Sequence, residues 1–180
     1  MILIGFQLNL KYGEWGSFLH GMGFIANFEI SGVWTMYFYV IIAVTIIVDL
    51  ATKMAIRMNL AVGERTEILG FVQLAHYENP GTSGNLFHGY ARLISVVVLA
   101  LVGIGFYLRS KGKFRRPVMQ VGLSLMIGGA IGNTIDRLVY NQVTDFLFFS
   151  VQATMNFADI AVYAGTIILV GSQIFHEFRR

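Results

Sequence analysis

The four aspartates of this chain all sit at or beside the end of an apolar run: Asp49 in "VDLATK", Asp136 and Asp145 in "IGNTIDRLVYNQVTDF", and Asp159 in "MNFAD". A carboxylate beside hydrocarbon is costly unless it is paired or put to use. Two carboxyls held close together cannot both ionise cheaply, so one keeps its proton. Such a pair can activate water against a peptide carbonyl, the chemistry of aspartic proteases. Asp145 lies between the apolar Val143 and Phe146, and Asp159 lies where an apolar helix would begin, which makes them the candidate pair. Taken alone, Asp159 also reads as a first-turn acid favoured by the helix dipole. Asn156, three residues earlier, is then the N-cap.

Other polar residues cluster near these acids. Asn133 and Arg137 share a helix face by i,i+4 spacing, with Asp136 beside them. Asp136 reads equally as a member of an ion pair, with Arg137 or a lysine, and as a reacting group. Upstream, Gly128 and Gly132, and Gly129 and Asn133, have the small-xxx-small spacing of closely packed membrane helices. Asp49 and Lys53 stand i,i+4 and suit a salt bridge at a helix end. Other chemistries are poorly supplied. There is no cysteine, which excludes disulfides and thiol catalysis. The histidines His20, His76, His88 and His176 lack ligand spacing, so no metal site is expected. Ser83 in "GTSGN" lacks the full nucleophile-elbow pattern.

The elements that must position these groups are membrane helices. The chain is 56% hydrophobic and 13% charged, with mean hydropathy +0.65, against about 25% charged for a soluble domain. Four runs are long enough to span a bilayer, at about 33–48, 91–108, 118–135 and 157–175. In lipid such runs satisfy their backbones as helices. Between the first two, "EILGFVQLAHYEN" alternates like short strands and "NPGTSGN" reads as a turn-rich loop. The expected fold is an all-α membrane protein, a four-helix transmembrane bundle with a small outward-facing β-rich element after the first helix. Residues 1–180 read as one membrane domain, with 1–32 an atypical, interfacial N-terminal extension and no evident cleavable signal. The basic run "RSKGKFRR" and the final Arg179 and Arg180 put both termini and the second loop in the cytoplasm. All four aspartates then lie at the outer membrane boundary. The basic run is a topology signal, and no nucleic-acid partner is expected.

"GGAIGNTIDRLVYNQVTDF" together with "NFAD" resembles the lipoprotein signal peptidases, or signal peptidase II. The family pattern runs G-G-A-x-G-N-x-x-D-R, then V-x-D-F, then F-N-x-A-D. The resemblance extends from about Asp49 to the C-terminus. It implies that Asp145 and Asp159 form a catalytic dyad. It also implies that Asn133 and Arg137 hold substrate or organise the site, with Asn156, Asn79, Gly81, Asp49 and Lys53 around them. Asp136, Gly128, Gly129 and Gly132 would be structural. Leu50 stands where the pattern has Gln, Met155 where it has Phe, and "NPGTSG" replaces the usual small-residue loop. The implied function is cleavage of signal peptides from diacylglyceryl-modified prolipoproteins on the amino side of the lipidated cysteine. No cofactor or metal is needed. The partners are the lipid-modified substrate and membrane lipids, and the expected enzyme is a monomer of the bacterial inner membrane. The alternatives are a diverged paralogue with altered substrate or a lipid-binding role, and a proton- or cation-coupled transporter component.

Overall fold

A computed structural model describes residues 14–69, 72–81, 89–149 and 153–179. Two compact units divide the chain, Met1–Tyr37 and Phe38–Arg180. Every residue of the candidate site falls in the second. The elements in chain order are α1 (Glu14–Asn59), β1 (Arg65–Leu69), β2 (Val72–Asn79), α2 (Ala91–Ser110), α3 (Pro117–Tyr140), β3 (Val143–Phe149), β4 (Ala153–Met155) and α4 (Phe157–Glu177). Among the described residues, four helical stretches are long and apolar enough to cross a membrane: Gly32–Asn59, Ala91–Ser110, Pro117–Tyr140 and Phe157–Glu177.

The first and third spans run further than their apolar stretches. α1 continues past Val48 to Asn59, and α3 continues past Ile135 to Tyr140. The added turns carry Asp49, Lys53 and Arg57 on α1, and Asp136 and Arg137 on α3. Asp49, Lys53, Arg57 and Asp136 meet one another and Arg137 meets backbone carbonyls rather than lipid, so nothing ends the helices where the hydrophobic count stops. α1 starts at Glu14, inside the stretch that the sequence assigns to an interfacial extension. α3 has Pro117 in its first turn and stops at Asn141 in the left-handed region, φ 61°.

α3 is the central helix: 56% of its span is buried, against 11–17% for the other three. Their outer faces carry exposed Val44, Ile47, Leu101, Val97, Ile167 and Val170, as lipid-facing surfaces should. The glycines of α3 let its neighbours close in. A Cβ on Gly129 would collide with the Ala158 carbonyl of α4, and one on Gly128 would stand 2.7 Å from Thr45 Cβ of α1. Phe38, Ile42, Leu123 and Ile127 form the apolar core between α1 and α3.

Among the described residues the strands form an antiparallel sheet in the order β1-β2-β3-β4. The β1–β2 hairpin is the expected outer element. The other two strands come from the α3–α4 connection, where the sequence shows no strand signal that stands apart from the neighbouring apolar runs. β2 and β3 pair with Tyr77 opposite Asp145, Glu78 opposite Thr144 and Asn79 opposite Val143.

Candidate active site

β3 delivers Asp145 to the end of the bundle, 3% exposed. Asn156 Nδ2 donates to its Oδ1 at 2.7 Å, and Asn79 Nδ2 donates to its Oδ2 at 3.1 Å. Burial pushes the Asp145 carboxyl up to about 7, and the nearby charge of Asp159 pushes the same way against the two amides. Asp159 opens α4 and is half-buried. Its Oδ1 accepts from Asn133 Nδ2 at 2.8 Å, and its Oδ2 accepts from the Asn156 backbone N–H at 3.3 Å. The Asp159 N–H in turn donates to Asn156 Oδ1 at 2.9 Å, completing a capping box. Asn156 therefore touches both acids, one through its side chain and one through its backbone.

Three asparagines are oriented by one rule. An amide oxygen engaged by a donor leaves the NH2 to point elsewhere. Asn133 Oδ1 accepts from Lys53 Nζ at 2.8 Å, Asn156 Oδ1 from the Asp159 N–H, and Asn79 Oδ1 from the Gly81 N–H at 3.0 Å. In each case the NH2 faces Asp145 or Asp159. The arrangement surrounds both carboxyls with neutral amide donors and keeps the positive charge of Lys53 one residue further away.

That positive charge belongs to a buried ionic network between α1 and α3. Lys53 Nζ lies 2.7 Å from Asp49 Oδ2 and 3.2 Å from Asp136 Oδ2, with all three side chains sealed from solvent. Arg57 Nη2 is 2.9 Å from Asp136 Oδ1, a close ion pair without hydrogen-bond alignment. Two carboxylates thus balance two cations, the condition for burying them at all. Asp49 Oδ1 also accepts from the Ala158 N–H at 2.8 Å, which ties α1 to the first turn of α4. Gly132 makes room for this: a Cβ there would stand 2.6 Å from Asp49 Oδ2.

The network reaches the sheet through Thr144, next to Asp145. Its N–H donates to Asp136 Oδ2 at 3.2 Å and its hydroxyl to Glu78 Oε1 at 2.9 Å. His76 Nε2 shares Glu78 Oε1 at 2.8 Å. Arg137 extends the other way and donates from Nη2 to the Gly81 carbonyl at 3.2 Å, pinning the start of the outer loop. Arg137 Nε is buried without a hydrogen-bond partner among the described residues, while Asp159 and Asp145 lie within electrostatic reach. Among the described residues no group of acids and histidines could hold a metal ion.

A family model described as Signal peptidase (SPase) II matches residues 41–175, a span that contains every residue of this site. The chain belongs to the signal peptidase II family. Lipoprotein signal peptidases of Pelotomaculum thermopropionicum and Symbiobacterium thermophilum are 38% and 37% identical to it over 74% and 72% of the chain, in each case 89% of the relative. One from Listeria monocytogenes is 28% identical over 75% of the chain and 91% of the relative. Two solved bacterial membrane enzymes share the fold. One has TM-score 0.76 at 23% identity, covering 80% of this chain and 91% of that one. The other has TM-score 0.70 at 24% identity, covering 76% and 92%.

Within this signal peptidase II, the structure gathers Asp49, Lys53, Asn79, Gly81, Asn133, Asp136, Arg137, Asp145, Asn156 and Asp159 at one end of the bundle, linked by the bonds above. Asp136 meets Lys53 and Arg57 rather than its neighbour Arg137, because adjacent helical residues point apart. Sequence reasoning passed over Arg57, Glu78, His76 and Thr144. Arg57 carried a signal, since it follows Lys53 by one helical turn on the same face. Glu78 and Thr144 are joined only by strand pairing across distant segments. Thr82, Ser83, Gly84 and His88 lie outside the described residues, as do Met1 to Gly13.

Proposed function

We propose that this signal peptidase II is an aspartic endopeptidase that uses Asp145 and Asp159 as its dyad. It removes the signal peptide of a diacylglyceryl-modified prolipoprotein on the amino side of the lipidated cysteine. The observation that carries this reading is the pair of carboxyls held by one residue, Asn156, in unlike surroundings. Asp145 is the more buried of the two and keeps its proton up to about pH 7. It is the acid, and Asp159, closer to solvent, is the base.

In the proposed reaction Asp159 takes a proton from water as the water oxygen adds to the scissile carbonyl carbon. Asp145 gives its proton to the carbonyl oxygen, and a gem-diol forms. Collapse of the gem-diol returns a proton to Asp145 and breaks the C–N bond. The proton on Asp159 leaves with the new amine. Arg137, donating to the Gly81 carbonyl and within electrostatic reach of both acids, holds the end of β2 beside the reacting groups. The site sits at the membrane boundary because the substrate's peptide bond is tethered there by its lipid. By the Lys and Arg bias this is the outer face of the bacterial inner membrane, with both termini cytoplasmic. A transporter would call for broken helices around a midplane site; the four spans here run unbroken and the acids collect at one end.

The test is turnover of a lipidated precursor peptide in detergent by Asp145→Asn, Asp159→Asn and the double variant, each checked for folding. General acid–base catalysis is worth roughly 10²–10⁴-fold, so each single variant should lose at least that much. The double variant should lose little more, because the acids act as a unit. A single variant that kept a tenth of wild-type turnover would remove the dyad assignment.

A further inference from the structure

At the far end of the helices, about 20 Å from Asn133 along α3, the α2–α3 turn and the last turns of α4 flank a second polar site, open to solvent. It is a pocket of about 270 Å3 whose lining includes Lys113, Arg115, Arg116, Gln173, His176 and Glu177. Arg116 fixes its walls: Nη1 donates to the Ser172 carbonyl and Nη2 to Gln173 Oε1, both at 3.1 Å. Gly112, at φ +74°, turns the chain and admits the Arg115 guanidinium, whose Nε would stand 2.6 Å from a Cβ there. Arg115 is thereby folded back over the turn, while Lys113 and Arg115 both remain exposed. Glu177 is the one carboxylate of the lining among the described residues, so cations outnumber it. The N-terminus of α3 adds its positive dipole end.

Exposed hydrocarbon stands on the same helix ends: Val118 in the first turn of α3, and Ile174 and Phe178 at the end of α4. A ligand suited to this level of the bundle is an anion attached to hydrocarbon. Basic pockets between transmembrane helices have this affinity for lipid headgroups. We propose that this pocket binds the phosphodiester headgroup of an anionic membrane phospholipid, with the acyl chains lying along the outer apolar faces of these helix ends. The site is separate from the dyad and from the lipid of the substrate.

The protein purified in detergent is titrated with dioleoyl phosphatidylglycerol, with dioleoyl phosphatidylcholine, or with inorganic phosphate. Retained lipid is counted by native mass spectrometry, and the melting temperature is followed alongside. Phosphatidylglycerol should be retained and should raise the melting temperature, while phosphatidylcholine and inorganic phosphate should do neither. The double variant Lys113→Gln, Arg115→Gln should bind phosphatidylglycerol about thirtyfold more weakly, the combined weight of two surface cations. Its turnover should stay at the wild-type level. The charge-keeping double variant Lys113→Arg, Arg115→Lys should bind as the wild type does. Equal retention of the two lipids, or unchanged affinity in the glutamine variant, overturns the proposal. So does loss of binding in both double variants. A shift reproduced by inorganic phosphate alone overturns the lipid as the source of the anion.

Discussion

Asp145 and Asp159 share Asn156 yet differ in what surrounds them, and that difference has a pH signature. The proposed acid, Asp145, must be protonated to donate, so kcat/KM, which reports the free enzyme, should fall as pH rises through about 7. The Asn79 amide stabilises the ionised form of Asp145. Removing it with Asn79→Ala should therefore move the alkaline limb of the kcat/KM–pH profile to higher pH; a limb that moved down would reverse the assignment. The same group affects stability. Its carboxyl is raised in the folded state, so its favourable contribution is full below the ordinary carboxylate value of 3.8 and is lost as pH rises through about 7. Asp145→Asn should flatten this part of the melting-temperature profile and melt higher than the wild type above pH 7. At Gly132 the constraint is space. Gly132→Ala would push Asp49 away from Lys53 and from the Ala158 N–H. A cost of roughly 1–3 kcal/mol is expected for such overpacking, read as a lowered melting temperature in detergent.

Among the elements, α1 and α3 are joined by charge and the sheet is fastened to that joint. Asp136 stands between Lys53 and Arg57 and also holds the Thr144 N–H. Asp136→Asn removes the carboxylate that Lys53 and Arg57 share, leaving Lys53 with Asp49 and Arg57 with Glu78 at 3.8 Å. Breaking a buried pair from one side costs about 3–5 kcal/mol. The yield of folded protein should fall in step with activity; normal melting with lost turnover would instead move Asp136 into the reacting set. The helices, and the two acids that the fold gathers around Asn156, were legible in the sequence for simple reasons. Apolar runs of membrane length admit little besides helices, and Asp145 and Asp159 sit in short patterns whose residues are contiguous. The β1–β2 hairpin was legible through its alternation. β3 was not, because Phe146, Leu147, Phe148 and Phe149 form one apolar run with no period of two, parted from Val143 by Thr144 and Asp145. Its pairing with β2 joins residues such as Glu78 and Thr144, which no local pattern connects. The roles of Arg57 and Glu78 were hidden by the same separation.

For the whole molecule, orientation is the most direct test. The chain has no cysteine, so single cysteines report cleanly. In intact cells, Lys111→Cys should resist an impermeant thiol reagent and Glu67→Cys, exposed on β1, should react with it. The reverse pattern would invert the protein in the membrane and place the dyad in the cytoplasm. The split origin of the sheet carries a consequence for how the enzyme is made. A chain is synthesised from its amino end, so the β1–β2 hairpin is delivered first, with the β3-facing edge of β2 unpaired. Asn79 then has no Asp145 to address, and Lys53 has neither Asn133 nor Asp136. Only when the ribosome has released the segment after α3, and α4 has begun with Asn156 and Asp159, do the parts of the dyad exist together. With Asp145 and Asp159 as the proposed dyad, a nascent chain that ends before Asp159 lacks one of its two acids and cannot cut a signal peptide.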